Sequence, residues 1–165
     1  MVIGNDCMLS SQVEIRSDDG HPVFDVRTGK RSNPSRSIRI GNHVWLAKRS
    51  AVLGGASIAD GSVLGFGSVL TSRIPNNRIA VGTPAKVIRR GVVWESPHIS
   101  LREPFYKPDA STIEKSTFWN LTDDADLLDA RVFPSTKPKP TGWLGTKTRS
   151  LRTKAWKLRR RLLAR

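Results

Sequence analysis

The sequence predicts an all-β fold: a parallel β-helix that carries one external loop and an irregular, partly helical, basic C-terminal extension. Three observations predict it. An aliphatic residue recurs every six positions through the first half of the chain, and the repeat is interrupted once by a polar stretch out of step with six. At the other end, Gly142 to Arg165 holds nine Lys and Arg and no acid.

Ile40, Leu46, Val52, Ile58, Leu64 and Leu70 stand in register at a spacing of six. Four places after each comes Val44, Ser50, Ala56, Ser62, Ser68 and Ile74, small or aliphatic throughout, and glycines crowd the intervening positions. An amphipathic helix repeats near 3.6 residues and a simple strand at 2, so neither accounts for the spacing. A chain that turns a corner every six residues does account for it. Each aliphatic then points into a narrow interior, the small residue fits the tight corner, and each coil satisfies its neighbour's backbone hydrogen bonds. The same phase runs through Ile3, Leu9 and Ile15, with Cys7 and Val13 at the small position.

From Ile15 to Ile40 the interval is 25, not a multiple of six, and residues 17–37 are rich in Gly, Asp, Ser, Arg and Pro. This stretch is expected to leave the coil as a loop of functional length. The repeat stops after Arg90. The organisation expected is therefore a β-helix over 1–90, an aromatic and Pro-rich extension over 91–141, and a basic amphipathic tail over 142–165.

Composition narrows the function. The chain of 165 residues has 28 Lys and Arg against 14 Asp and Glu, so polyanionic partners are expected. Nine of the fourteen net charges fall in the tail, leaving the body with the charge of an ordinary domain. Cys7 is the only cysteine, which excludes an intrachain disulfide framework and a multi-cysteine zinc site and fits a reducing compartment. No metal is expected, and neither a phosphate-loop motif nor GxGxxG is present. The N-terminus has no apolar run of signal-peptide or membrane-spanning length, so a cytoplasmic location is expected.

On the hexad repeat, on Ile40-Gly41-Asn42-His43-Val44-Trp45 and on Val81-Gly82-Thr83-Pro84-Ala85-Lys86-Val87-Ile88, residues Val2 to Arg89 resemble the left-handed β-helix, hexapeptide-repeat acyltransferases, in particular the sugar and polysaccharide O-acetyltransferases. Thr83 departs from the Asn more often found there. The resemblance implies left-handed coils of three hexads, with Ile40–Ser57 and Ile58–Pro75 as complete coils and Val2–Arg16 as most of another. It also implies a homotrimer and acetyl-CoA as the acyl donor. Met1 stands two residues before Ile3, so the expected β-helix lacks an N-terminal cap and the coils that precede this point in the family.

For the site, the resemblance makes His21, in Gly20-His21-Pro22, the catalytic base. A base is needed because a thioester is already activated, and what remains is to deprotonate the attacking sugar hydroxyl and stabilise the oxyanion. Asp18 and Asp19 are the nearest candidates to fix the imidazole tautomer, a task that a backbone carbonyl can also perform, which would leave both acids as solvated loop charges. Trp45 is expected at an outward corner, lining the acyl-CoA groove or packing on a neighbouring subunit, with its indole N–H as a donor near the thioester. The acetyl-CoA contacts implied are Trp45, Ala47, Gly65, Thr83, Pro84, Ala85, Lys86 and Arg89. Lys86 and Arg89 suit the nucleotide phosphates or are ordinary surface cations. His43 is expected at a surface or interface, outside the catalytic set, and Cys7 at its small corner position is a poor nucleophile.

Beyond the repeat, Trp94, Phe105, Tyr106, Trp119 and Phe133 among many prolines read as anchors of a strap. Thr122 to Val132 reads as a short helix. Leu151, Ala155, Leu158 and Leu162 lie on one helical face opposite cations, a pattern suited to the anionic inner face of a cytoplasmic membrane. The expected acceptor is a saccharide of the bacterial cell surface or capsule, acidic in one version, and nucleic acid is not the expected partner. The competing reading is a non-catalytic β-helix scaffold whose basic tail contacts membrane or nucleic acid.

Overall fold

The computed structural model describes residues 1–120. The expected helix at Thr122–Val132 and the amphipathic tail lie outside the described residues. Among the described residues twelve short strands make up almost all the regular structure. They are β1 (Val2–Ile3), β2 (Met8–Leu9), β3 (Glu14–Arg16), β4 (Arg39–Ile40), β5 (Trp45–Leu46), β6 (Ala51–Leu53), β7 (Ser57–Ile58), β8 (Val63–Leu64), β9 (Val69–Leu70), β10 (Arg73–Ile74), β11 (Arg78–Gly82) and β12 (Ala85–Arg90).

The strands assemble every third one into three parallel sheets, β1-β4-β7-β10, β2-β5-β8-β11 and β3-β6-β9, with β12 closing the second sheet antiparallel to β11. This is a three-faced parallel β-helix. Strands of two residues make few hydrogen bonds each, but the bonds stack into continuous ladders: Gly4 N–H to Ile40 O at 2.8 Å, Gly41 N–H to Ile58 O at 2.8 Å, Ala59 N–H to Ile74 O at 2.9 Å. The register places the interior aliphatics in columns, Ile3, Ile40, Ile58 and Ile74 on one face and Leu9, Leu46, Leu64 and Ala80 on the next. From Ile40 to Ile74 the interior aliphatics are fully buried, each contributing roughly 1.5–3 kcal/mol. Ile3 and Leu9, in the first coil, stay partly exposed because a coil covers them on one side only.

One expectation about the repeat is corrected. Ile74 is not a small-position residue: it pairs with Ile58 inside the first sheet, four residues after Leu70 rather than six. The coil that starts at β7 is thus two residues shorter than Ile58–Pro75, because its last corner is tighter.

A second regularity accompanies the first. At eight corners the residue three places after an interior aliphatic has positive φ: Asp6, Gln12, His43, Arg49, Gly55, Gly61, Gly67 and Asn77. At the corner between the first and second sheets Asp6, His43, Gly61 and Asn77 stack in successive coils, and residues 91–120 are fastened to this stack. His43 is buried, which corrects its expected place at a surface or interface. Its ring stacks on Trp94 at 4.2 Å and on Phe118 at 4.5 Å between centroids. Its Nε2 lies 2.8 Å from the Trp94 carbonyl and its Nδ1 lies 2.5 Å from the Asp6 carboxylate. A carbonyl only accepts, so Nε2 is the donor to Trp94 and Nδ1 faces the Asp6 carboxylate. Trp94 donates its indole N–H to the His43 carbonyl at 2.8 Å. One corner residue beyond Gly61, the Asn77 amide donates to the carbonyls of Val92 at 2.9 Å and Phe118 at 3.0 Å. Gly61 lies between His43 and Asn77 because a Cβ there would stand 3.0 Å from the Asn77 amide, in a left-handed conformation besides.

Two outcomes are expected from this packing. Leu64→Ala removes a side chain buried in the middle of a column, so chemical denaturation is expected to show a loss of roughly 2–5 kcal/mol. Asn77→Ala frees two strap carbonyls and leaves the core column intact. Limited proteolysis is expected to cut within 91–120 several times faster in that variant while 38–80 stays protected, and equal cutting rates would refute the fastening.

Candidate active site

The loop leaves the coil at the corner after β3 and returns at β4, and its neck is closed by a hydrogen bond from Arg36 N–H to Ser17 O at 3.0 Å. The neck lies across Gly54, where a Cβ would stand 2.7 Å from Ser17 O, so only glycine lets the loop sit this close to the coil. The body of the loop is a small antiparallel turn with Phe24 bridged to Arg31. Asp25 organises its tip, accepting from Thr28 N–H at 2.8 Å, Thr28 Oγ1 at 2.9 Å and Arg27 N–H at 3.0 Å. Those bonds, Thr28's first, hold the Asp25 carboxyl below the usual carboxylate range.

His21 projects from this loop into solvent. Its carbonyl accepts a hydrogen bond from Asn33 Nδ2 at 2.9 Å, and no hydrogen bond ties its ring to another described residue. The expectation that Asp18 or Asp19 orients the imidazole is not realised. Asp18 accepts from Gly20 N–H at 2.9 Å and Asp19 from Asn33 Nδ2 at 2.8 Å. Beside the neck is a cavity of about 460 Å³, lined among others by Ser17, Asp18, Asp19, Asn33, Arg36 and Thr71. Its wall offers carboxylates, hydroxyls and a guanidinium, a mixture that suits a polyhydroxylated ligand.

Trp45 is the outward residue of β5 rather than a corner residue. Its ring lies 6.1 Å from Trp94, and its indole N–H is taken by Ser10 Oγ at 3.2 Å. Ala47 and Gly65 follow Leu46 and Leu64, which are partners in the register, so the two lie side by side at one edge of the second sheet. Thr83 and Pro84 form the exposed tip of the β11–β12 hairpin, Ala85 is buried beside it, and Lys86 and Arg89 are exposed along β12 opposite Val81 and Ile79. The structure thus gathers Ala47, Gly65 and the hairpin along the second sheet. It makes no contact between His21 and Trp45 within one chain.

Cys7 is half-buried and points its thiol at the Gly41 carbonyl, 3.2 Å away. Burial pushes the thiol up from its ordinary value, so thiolate is scarce and nucleophilic chemistry there is disfavoured. Trp94 is buried against His43, and the Trp119 indole donates to Glu95 at 2.7 Å, so both act as anchors of the strap. His98 is exposed and shares a hydrogen bond with Ser100 at 2.6 Å. Among the described residues no group of three or more His, Cys, Asp or Glu is placed to hold a metal ion.

Two residues that matter to this arrangement carry little signal in the sequence. Asn33 is twelve positions from His21 and falls outside any period. Asn77 follows Ile74 by the same three places as the other corner residues, a relation that becomes visible only when Ile74 is counted as interior.

No protein-family model matches the chain. It is 40% identical over 94 residues to a polysialic acid O-acetyltransferase of Escherichia coli O1:K1, covering 57% of this chain and 31% of that protein. It is 37% identical over 89 residues to the galactoside O-acetyltransferase of Escherichia coli K12, covering 54% of this chain and 43% of that protein. Among solved structures, the polySia-specific acetyltransferase NeuO superposes with a TM-score of 0.56 at 35% identity, over 69% of this chain and 52% of that one. The chain therefore spans less than half the length of these curated relatives. Over the matched part of each chain it is similar to the polysialic acid and galactoside O-acetyltransferases, and it superposes on solved polysialic acid O-acetyltransferases.

Proposed function

We propose that the protein is an acetyl-CoA-dependent O-acetyltransferase that acetylates a sugar hydroxyl of a bacterial cell-surface or capsular saccharide. The observation that carries the reading is His21, presented to solvent on a loop whose neck is seated on a β-helix homologous to sugar O-acetyltransferases. In this reading the coil is left-handed and three copies of the chain form the trimer whose inter-subunit groove takes acetyl-CoA. Ala47, Gly65, Thr83, Pro84 and Ala85 then line the groove through the coil edge and the hairpin, Trp45 flanks it, and Lys86 and Arg89 meet the nucleotide phosphates. The cavity at the loop neck receives the saccharide.

His21 acts as general base, its imidazole taking the proton of the attacking hydroxyl. The acceptor hydroxyl loses its proton to His21 as its oxygen attacks the thioester carbonyl. The tetrahedral oxyanion collapses, the carbon–sulfur bond breaks, and the leaving thiolate takes the proton back from the imidazolium. Transfer is direct, which fits a Cys7 thiol turned inward and held protonated. No helix among the described residues is long and apolar enough to cross a membrane. The reading places the enzyme in the cytoplasm, with the basic residues of 150–165 resting on the anionic inner face of the membrane.

The test is release of CoA thiol from acetyl-CoA in the presence of a saccharide panel that includes polysialic acid and a galactoside. His21→Ala is expected to lower kcat by about 10²–10⁴-fold with acetyl-CoA affinity unchanged. No turnover in the unaltered chain with any acceptor, or full turnover in His21→Ala, would overturn the reading, and absence of CoA binding would favour the scaffold. Removing Lys86 and Arg89 together is expected to weaken CoA binding about tenfold or more without changing kcat. An unchanged affinity would return both to ordinary surface charge.

A further inference from the structure

We propose that Asn33 is a positioning residue for the transfer: its amide grips the chain before, at and after His21 and so sets where the imidazole stands. The inference rests on the reading of His21 as the base. Asn33 Nδ2 donates to the His21 carbonyl at 2.9 Å and to the Asp19 carboxylate at 2.8 Å. Its Oδ1 accepts from Val23 N–H at 2.7 Å and from Arg31 Nε at 3.3 Å. The partners at 19, 21 and 23 are alternate residues that bracket the candidate base.

Three features make this a grip on His21 rather than general loop packing. An amide has two N–H donors and two lone pairs, and Asn33 spends all four within the loop, leaving none for an acceptor. Between His21 and Val23 lies Pro22, which has no N–H. The His21 carbonyl and the Val23 N–H, on either side of it, are both held by this one side chain. Finally, every residue from 18 to 32 is exposed, and Asn33 is the half-buried one. With Asp18 and Asp19 engaged elsewhere, the position of the ring is set through the backbone.

The backbone under a base needs such control because an error of about 1 Å in a reacting group costs on the order of 10²-fold in rate. Asn33→Ala is therefore expected to lower kcat by about 10–100-fold, with KM for acetyl-CoA and the thermal transition of the β-helix unchanged. Asn33→Asp keeps the bond from Val23 N–H but cannot donate to the His21 carbonyl and faces Asp19, so it is expected to fail similarly. The discriminating variant is Asp19→Asn combined with Asn33→Asp, which restores the 19–33 link with donor and acceptor exchanged while the His21 carbonyl stays unheld. Continued loss of kcat in the double variant supports the proposal, and recovery would assign the effect to loop integrity and overturn it.

A second arm separates this inference from the one beneath it. In the His21→Ala background, Asn33→Ala is expected to change the residual rate less than about twofold, since it acts through the missing ring. A full additional loss there would show that Asn33 acts independently of His21 and would overturn the proposal. If His21→Ala is inactive while Asn33→Ala retains full kcat, the Asn33 proposal alone falls. If His21→Ala keeps full turnover, both fall.

Discussion

At eight corners of this coil one residue takes a left-handed backbone conformation, and the rest of the molecule is arranged around that requirement. For an L-residue it costs roughly 1–2 kcal/mol, and five of the eight corner positions are not glycine. The cost is offset by the aliphatic side chain that each step buries in the interior, one per face, with small serines such as Ser50, Ser62 and Ser68 buried beside them. Turn and burial are therefore a single unit: the corner aims the next aliphatic inward, and the aliphatic holds the corner in its strained form.

The corner residues also form the outer handles of the coil. In the stack Asp6, His43, Gly61 and Asn77, the His and the Asn engage the strap, Asp6 supports the His, and Gly61 leaves room. His43 holds Trp94 and Phe118 by stacking and Asp6 and the Trp94 carbonyl by hydrogen bonds, while Asn77 holds Val92 and Phe118. At the next corner Arg49 Nε reaches Gln12 Oε1 at 2.9 Å, a bond between successive coils. Asn, Asp and His tolerate the left-handed region better than other side chains. The positions where the backbone admits them are thus the positions where the coil can fasten a strap.

The loop is built on the opposite principle. Val23, Phe24 and Val26 are exposed, so within the chain little apolar burial holds it, and its shape rests on the polar links of Asp25, Ser32 and Asn33. Its neck, by contrast, is pressed onto the coil at Gly54. A stiff base under a segment held by a few hydrogen bonds is the usual way a scaffold presents a reacting group: the coil sets where the loop starts, and side-chain hydrogen bonds set where its residues point.

The hexad spacing by itself determined the all-β coil, the inward-pointing aliphatics and the place where the loop departs, and the family resemblance added three hexads to a coil. Those features depend on local period and side-chain size, which a linear chain displays. The resemblance to the acyltransferases, carried by motifs contiguous in the chain, singled out His21, Trp45 and the hairpin from Thr83 to Arg89. Only the tertiary structure decided the features that depend on distant residues meeting. The shortened corner before Ile74 is set by stacking on Ile58, and His43 is buried because residues 94 and 118 close over it. Asp19 is drawn away from His21 because the loop folds back through Asn33. Period survives in one dimension, whereas hydrogen-bond partners 12 to 51 positions apart are chosen only when the chain has closed on itself.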